Sequence, residues 1–255
     1  MSDFLDRWQA FRDAREARLR DQHGYLSITA LHWLTDEPQR LDGVPGAWWQ
    51  EGDAVRVRLS PGESLGLDGA DLGSGVHTLG AVPEEGRTVT FGDAVAEVAD
   101  RDGRAILRPR HPDSPLLASY RGTPCYAPDE AWALPGRFEP CAGDGTGATG
   151  EVRGEVVVEH AGAEHRLLAW SSGDERLWIL FRDATSGVTT YPASRQVLVD
   201  PPAADGSVLL DLNRAINMPC AYTDHVTCPL PPAANTLPFA VEAGERMPEQ
   251  VLAGA

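Results

Sequence analysis

The chain has 255 residues, and its 22 basic and 38 acidic side chains give it a formal net charge of −16. Every basic residue is an arginine, which excludes enzymes that depend on a lysine, such as pyridoxal enzymes and phosphate-loop nucleotide hydrolases. The acidic balance argues against a nucleic-acid partner, because a nucleic-acid-binding surface needs a basic footprint.

Length and hydropathy predict a globular protein with one large domain or two small ones. The hydrophobic content of 42% is enough for a packed core. No apolar run approaches the roughly 20 residues that a membrane span needs, and residues 1–20 lack the apolar stretch of a secretory signal. We therefore expect a cytoplasmic protein without a membrane partner, whose four cysteines are reduced unless they bind a metal or react.

The first predicted element is an amphipathic helix at the N-terminus. Four apolar side chains recur there at spacings of three and four, with aspartates and arginines on the other face, namely Phe4, Leu5, Trp8 and Phe11. Such a stripe predicts a helix that docks on the rest of the chain. The next apolar stretch, residues 25–34, fits a short helix or a strand equally well.

Short strands separated by Pro-Gly, Asp-Gly and Gly-Asp turns are predicted from Trp48 onward. In the first half these strands are Ala54–Leu59, Gly75–Gly80, Thr88–Phe91, Ala94–Ala99 and Arg104–Arg108. In the second half they are Glu151–Glu159, His165–Trp170, Arg176–Phe181, Val188–Tyr191, Gln196–Val199, Val208–Leu212 and Leu237–Val241. Between the halves, residues 111–135 contain five prolines and are expected to form an irregular connection.

This density of strands predicts a mainly β protein, built from β-sandwich or barrel units with the amphipathic helix at its N-terminus. We expect a helical segment at residues 1–35, an N-terminal β unit at 36–115 and a C-terminal β unit at 116–255. The pattern leaves open whether the two β units are separate domains or one continuous core.

Two motifs of known chemistry lack the structural context that they need. Residues 145–150 match the dinucleotide fingerprint G-x-G-x-x-G, but a predicted strand follows where the phosphate-binding helix should begin. Residues 62–66 match the nucleophile elbow G-x-S-x-G, but a turn-rich stretch follows them instead of a helix. We interpret the first motif as a hairpin loop and the second as a chance match.

The C-terminal third holds polar side chains in an order that strand alternation does not require, and they could converge on a site. The candidates are Asp183 or Asp211 as general base, Arg195 as a clamp for a carboxylate, and Tyr191, Asn213 and Asn217 as further substrate-binding groups. The alternative is structural. Residues 183–187 are typical of a hairpin turn, and the other polar side chains could bond the irregular backbone that follows the strands.

Cys220, His225 and Cys228 have the spacing C-x4-H-x2-C, which offers three zinc ligands but matches no standard zinc motif. The two cysteines also fit a pair of buried small side chains, or a disulfide, redox pair or nucleophile. No cofactor is predicted, and zinc is the one alternative that the sequence brings into consideration.

These C-terminal motifs resemble the signature of the bacterial family known as domain of unknown function 1684. The family pattern contains D-x-T-x-G-x-x-T-Y-x-x-G-R, D-F-N-x-A-x-N-P-P-C-A, T-C-P-x-P-P-x-x-N-R-L and A-G-E. The first block is matched by Asp183, Thr185, Gly187, Thr190, Tyr191 and Arg195, and the second by Asp211, Asn213, Ala215, Asn217, Pro219, Cys220 and Ala221. The last two are matched by Thr227, Cys228, Pro229, Pro231, Pro232, Asn235, Leu237 and Ala243 to Glu245.

Residues 24–34 also resemble the G-W-L-x-L-x-G-L-x-W-L block of this family. The sequence departs from the C-terminal pattern at four positions, Ser194, Leu212, Met218 and Thr236. The resemblance implies a fold and candidate residues, and it implies no particular reaction.

Two functions therefore stand side by side. The first is a small-molecule enzyme of the hydrolase or lyase type, which acts without a bound cofactor on a small polar metabolite in a pocket of the C-terminal β unit. The second is a non-catalytic module that recognises a small molecule or another protein through its N-terminal β unit, while the C-terminal motifs only lock the fold. The sequence leaves a monomer and a homo-oligomer both open.

Overall fold

The computed structural model describes residues 3–141, 146–147 and 150–249, and it confirms a mainly β protein. Strands make up 42% of the described residues and helices, including 3₁₀ turns, 16%. Two compact units divide the chain. Unit 1 consists of Met1–Glu16, Arg121–Tyr222 and Thr227–Ala255, and unit 2 consists of Ala17–Tyr120 and Thr223–Val226.

The predicted N-terminal helix is α1 (Asp3–Leu19), and its buried stripe is partly cationic. Trp8 and Phe11 are half-buried, and the stripe continues at helical spacing through the buried Arg12 and Arg15. Leu5, which the apolar pattern assigned to the docking face, is 37% exposed. The helix therefore docks with two charged side chains as well as with aromatic ones.

Unit 2 contains ten strands and two short helical turns. The strands are β1 (His32–Trp33), β2 (Gln39–Arg40), β3 (Ala47–Glu51), β4 (Ala54–Leu59), β5 (Leu65–Leu67), β6 (Ala70–Leu72), β7 (Gly75–Ala81), β8 (Arg87–Phe91), β9 (Ala94–Arg101) and β10 (Arg104–Arg110). The turns are a 3₁₀ turn at Tyr25–Ser27 and α2 (Pro115–Ser119). Residues 25–34, which fitted helix or strand, thus hold a 3₁₀ turn followed by the short β1.

Two antiparallel sheets enclose the core of unit 2. One has the order β1-β10-β9-β8-β5-β6 and the other has the order β2-β3-β4-β7. Side chains from both sheets share one apolar cluster, with Val55 and Val57 on one sheet and Val89, Val98 and Leu107 on the other. This arrangement is a sandwich, one of the two architectures that the density of strands predicts.

Unit 1 contains the remaining strands, which form one antiparallel sheet. They are β11 (Ala133–Pro140), β12 (Thr146–Gly147), β13 (Gly150–His160), β14 (Ala163–Ser171), β15 (Leu177–Phe181), β16 (Arg195–Val199), β17 (Ser207–Asp211) and β18 (Ile216–Asn217). The order is β17-β11-β13-β14-β15-β16-β18, and β12 pairs with β13. That pairing agrees with the hairpin interpretation of the glycine motif, of which residues 145, 148 and 149 lie outside the described part of the chain.

One face of this sheet packs against the chain that follows β17. Leu212, Ala215, Leu237, Val241 and Ala243 join the buried cluster of the strands. The segment carries 3₁₀ turns at Leu212–Arg214, Pro219–Ala221 and Ala233–Asn235, and a further 3₁₀ turn at Glu130–Trp132 precedes β11. The core of unit 1 is therefore closed by irregular backbone instead of a second sheet.

Two predicted strands of unit 1 are wrong. Residues 188–191 form a turn closed by an isolated bridge between Ser186 and Thr190, and residues 237–241 are irregular backbone that buries Leu237 and Val241. Residues 188–191 are β-branched or aromatic, a composition typical of strands, whereas residues 237–241 are an apolar run, which is a pattern that burial alone also produces. Within the described ranges, none of the helices has the length and apolar character needed to cross a membrane.

Candidate functional site

Arg195 begins β16 on the same face as Val197 and Val199, because side chains alternate along a strand. This face points into the core, and the Arg195 side chain is only 1% exposed. Its guanidinium donates hydrogen bonds to the backbone oxygens of Val241 (3.0 Å), Ala243 and Glu245 (3.3 Å) and to the carboxylate of Asp183 (2.9 Å). The residue predicted to clamp a substrate carboxylate therefore holds the protein's own C-terminal segment.

Asp183 is the buried anionic partner of Arg195, and it also organises its own turn. Its Oδ1 accepts hydrogen bonds from the backbone N–H of Thr185 at 2.8 Å and from the Thr185 hydroxyl at 2.6 Å. Gly187 completes the turn with a φ of +81°, as the structural alternative for residues 183–187 predicts. Burial lowers the pKa of Arg195 and the Asp183 carboxylate opposes this shift, so the guanidinium stays charged at neutral pH.

Asp211 and Asn213 form a second bonded group at the end of β17. Asp211 caps the following 3₁₀ turn by accepting from the backbone N–H of Asn213 at 3.1 Å and from its side-chain amide at 2.9 Å. Asn213 is buried and exchanges two hydrogen bonds with the backbone of Asp129, at 3.0 Å and 2.9 Å. These two side chains therefore anchor the proline-rich chain ahead of β11.

Asn217 lies beside a buried carboxylate that sequence reasoning missed. Glu245, 1% exposed, accepts from the backbone N–H of Asn217 at 2.7 Å and from the side chains of Arg12 and Arg15 at 3.0 Å each. The Asn217 amide donates to the backbone oxygen of Arg246 at 2.8 Å. The network joins α1 to the last motif of unit 1, across 233 positions of sequence in the case of Arg12.

A signal for this network exists in the sequence of α1. Arg12 and Arg15 fall on the same helical stripe as Trp8 and Leu19, so their spacing predicts burial, and a buried guanidinium requires a carboxylate. Burial lowers the pKa of Arg15, but the Glu245 carboxylate outweighs this effect and the pKa is raised overall. The glutamate of the A-G-E motif is thus the anchor of the N-terminal helix.

Gly244 explains why that motif contains a glycine. Its φ is +74°, and a Cβ atom there would lie 2.5 Å from the backbone oxygen of Ala215 and 2.9 Å from that of Leu212. Backbone approaches so closely at this position that no side chain fits. The close contact brings Glu245 against Asn217.

An open cleft of about 710 Å³ lies in unit 1 and is lined by residues outside the predicted site. Its wall combines aromatic rings with carboxylates, namely Phe4, Tyr126 and Trp132 with Asp129, Glu130 and Glu242. Within the described residues, no arginine is ion-paired with Glu130 or Glu242. Most of this wall belongs to the stretch that the sequence marked only as a proline-rich connection.

The aromatic residues of the cleft wall pack against other side chains of unit 1. Trp132 stacks on His160 at a ring-centroid distance of 5.3 Å and on Phe239 at 6.4 Å. The Arg246 guanidinium lies 5.4 Å from the centroid of the Tyr126 ring, within the range of a cation–π contact. The cleft therefore has a packed aromatic wall, one ring of which already contacts a cation of the protein.

Tyr191, the remaining predicted substrate-binding residue, contacts Cys220. Its hydroxyl donates to the backbone oxygen of Cys220 at 2.8 Å. The Cys228 side chain and the Tyr191 side chain lower the pKa of Cys220 to about 7, despite the partial burial of Cys220. All four cysteines are free thiols.

The six predicted site residues are thus distributed over local contacts instead of one pocket. Asp183 bonds Arg195 and Asp211 bonds Asn213, whereas Tyr191 lies with Cys220 and Asn217 lies with Glu245. In the part of the chain that the structure describes, no three His, Cys, Asp or Glu side chains are grouped so that they could hold a metal ion. The three-ligand zinc alternative built from the C-x4-H-x2-C spacing stays a prediction.

The antiparallel sheet, the buried Asp183–Arg195 pair and the segment that closes the core define a mainly β protein whose motifs bind its own backbone. The chain belongs to the family described as Protein of unknown function (DUF1684), whose model matches residues 118–246. An uncharacterised protein of Haloarcula marismortui, solved by solution NMR, is similar over 51% of this chain and 78% of its own, with 28% identity and a TM-score of 0.43. No curated protein matches the chain.

Proposed function

We propose that unit 1 is a non-catalytic binding module whose open cleft takes a small organic cation. The observation that carries this proposal is the composition of the cleft wall. Aromatic faces attract cations through their quadrupoles, and Glu130 and Glu242 add negative charge that no arginine of the described chain neutralises. The net charge of −16 favours the approach of cations from solution.

The predicted site residues support the cleft as its scaffold. Asn213 fixes the backbone of Asp129, and the N–H of Tyr126 donates to the backbone oxygen of Gly244 at 3.0 Å. The N–H of Arg246 donates to the backbone oxygen of Pro124 at 2.8 Å. Two of the C-terminal motifs thus hold the chain from residue 124 to residue 129, which is part of the cleft wall.

An enzyme of the hydrolase or lyase type is the weaker proposal. A general base has to reach the substrate proton, but the Asp183 side chain has an exposure of 0% and is bonded to Arg195 and Thr185. Asp211 caps a turn. The small molecule of the binding-module hypothesis becomes, in this proposal, a cationic one, and the cleft that takes it lies in unit 1 instead of the N-terminal β unit.

Calorimetric titration with choline tests the proposal, because choline has a neutral isostere, 3,3-dimethylbutan-1-ol. We expect saturable binding of choline with a Kd of about 1 mM or below and much weaker binding of the alcohol. The double variant Glu130→Gln and Glu242→Gln removes two exposed carboxylate contacts, together worth about 1 kcal/mol. It should raise the Kd roughly fivefold.

A matched control removes the same charge elsewhere in unit 1. Glu159 and Glu175 are exposed and do not line the cleft, so Glu159→Gln with Glu175→Gln should leave the Kd within about twofold. Phe4→Leu should weaken binding of choline while leaving the alcohol unaffected, because it removes an aromatic face and keeps an apolar surface. Equal affinity for choline and its neutral isostere, or no saturable binding of choline, would overturn the proposal.

A further inference from the structure

Three arginines of unit 2 converge on one glutamate, and we call them the arginine cluster (Arg101, Arg108 and Arg110). The carboxylate of Glu97 in β9 is ion-paired with Arg108 and Arg110 of β10, and the Arg101 Nη2 lies 3.5 Å from it. Glu97 is opposite Arg108 in the antiparallel register, and side chains two or four positions apart along a strand share a face. The four charged side chains therefore lie together on the face of the sheet that is turned away from the apolar core.

The arginine cluster carries more positive charge than Glu97 neutralises. Within the described residues, Glu97 is the one carboxylate that is ion-paired with these arginines. Burial raises the pKa of Glu97, but Arg108 and Arg110 outweigh this effect and lower the pKa overall, so the carboxylate is charged at neutral pH. Three guanidinium charges and one carboxylate charge leave a net charge of +2 on this face of the sheet.

The arginine cluster also contains hydrogen-bond donors without acceptors. The Arg108 side chain is only 9% exposed, and in the described part of the chain its guanidinium donates to Glu97 alone. The buried Nε atoms of Arg108 and Arg110 have no hydrogen-bond partner among the described residues. Buried donors without acceptors cost free energy, and so does a buried charge without a counter-charge. An oxyanion bound here would supply both the acceptors and the negative charge.

Solvent reaches the arginine cluster, and a cavity of about 320 Å³ lies beside it. The side chains of Arg101 and Arg110 are 26% and 20% exposed. The wall of the cavity includes His23, whose backbone oxygen accepts from Arg110 at 2.8 Å, and Val95, which is paired with Arg110 in the sheet. Asp93 also lines the cavity, and its negative charge disfavours a second anionic group there. The surroundings therefore fit a ligand with one anionic end and an uncharged remainder.

We propose that the arginine cluster binds the phosphate group of a small molecule whose uncharged remainder occupies the adjoining cavity. The planar guanidinium matches the spacing of phosphate oxygens and binds them through paired hydrogen bonds. Glu97 holds the three side chains together and limits the affinity, because it neutralises one of their charges. At physiological ionic strength the more distant acidic residues of the chain are screened and oppose binding only weakly. The site lies entirely in unit 2, so it is independent of the cation-binding cleft of unit 1.

Calorimetric titration of the full chain with glycerol 3-phosphate and with inorganic phosphate, at about 0.15 M ionic strength, tests this site. We expect saturable binding of glycerol 3-phosphate with a Kd of about 1 mM or below. Inorganic phosphate should bind several-fold more weakly, because it leaves the cavity empty. Equal Kd values would remove the cavity from the site and assign the arginine cluster to free phosphate. The absence of saturable binding of both compounds would overturn the proposal.

Two variants change the charge of the site in opposite directions, and the melting temperature of each shows whether it folds. Arg110→Gln removes a partly exposed cation and should raise the Kd of glycerol 3-phosphate at least about fivefold. Glu97→Gln removes the neutralising carboxylate and should lower this Kd, whereas a purely structural role of Glu97 predicts unchanged or weaker binding. Arg58→Gln is the matched control, because Arg58 is exposed in β4 of the other sheet, and it should leave the Kd within about twofold. A Kd that neither Arg110→Gln nor Glu97→Gln changes would place the bound phosphate elsewhere and refute the assignment.

Discussion

Replacing Asp183 with asparagine separates a scaffold role of the buried ion pair from a catalytic one. The substitution keeps the size and shape of the side chain. An amide oxygen can still accept from Thr185, but the amide nitrogen then faces the Arg195 guanidinium, which donates to Asp183 in the native protein. Asp183→Asn thus leaves a buried cation without its carboxylate.

The expected cost follows from the burial of both partners. Their side chains are 1% and 0% exposed, and removal of one partner from a buried pair costs about 3–5 kcal/mol. We expect the lower end, about 3 kcal/mol, because three backbone oxygens continue to accept from Arg195. For a unit of this size such a loss lowers the melting temperature by about 6–12 °C.

Thermal and urea unfolding, followed by the change in circular dichroism of the sheet, measure this loss. Asp211→Asn is the matched control, because asparagine caps a turn about as well as aspartate and Asp211 carries no buried ion pair. The control should unfold within about 1 kcal/mol of the wild type. An Asp183→Asn protein that unfolds like its control would refute the scaffold reasoning and would reopen a catalytic role for Asp183.

Three further outcomes are expected. Gly162→Ala should cost about 1–2 kcal/mol, because Gly162 has a φ of +78° and an added Cβ there has no atom within 4 Å. Gly244→Ala should lower the free energy of unfolding by clearly more, because an added Cβ there also meets backbone oxygens. Equal losses in urea unfolding would show that the close approach of backbone at Gly244 adds nothing. Two arginines lower the pKa of Glu97 against the opposing effect of burial, so its contribution to stability is present above about pH 4.5 and is lost as the pH falls through the lower pKa of the folded state. Glu97→Gln should therefore destabilise unit 2 at neutral pH and approach the wild type as the pH falls below about 4.5, and a difference that stays constant with pH would exclude this origin. The rate of alkylation of Cys220 by iodoacetamide should rise with pH with a midpoint near pH 7, and this midpoint should shift to higher pH in Tyr191→Phe. An unchanged midpoint would show that the Tyr191 hydroxyl does not lower the pKa of Cys220.

The strands of unit 2 show which elements the local sequence pattern predicts. The predicted strand Ala54–Leu59 coincides with β4, and the predicted strands at residues 75–80, 88–91, 94–99 and 104–108 lie within β7 to β10. In β4 and in the first part of β9 buried residues alternate with less buried ones, and alternation is a property of neighbouring positions that a single chain displays. In β10 five successive residues are buried, so that strand was predicted from its composition and its flanking turns. The second-half predictions at residues 188–191 and 237–241 lack alternation, and both are wrong.

Polar residues were harder to interpret than apolar ones. Arg195 shares the buried face of Val197 and Val199, which alternation alone could have shown. The sequence pattern could not show which group receives a buried guanidinium. Its acceptors lie 12 positions away at Asp183 and 46 to 50 positions away in the C-terminal segment.

By itself the sequence determined the mainly β class, most strands, the N-terminal helix and the membership of the family, because each depends on local periodicity or on contiguous motifs. Only the tertiary structure decided what the motif side chains do, since a buried charge takes its role from the partner that packing brings to it. The same holds for the cleft, whose wall joins α1 to residues 126–132 and Glu242.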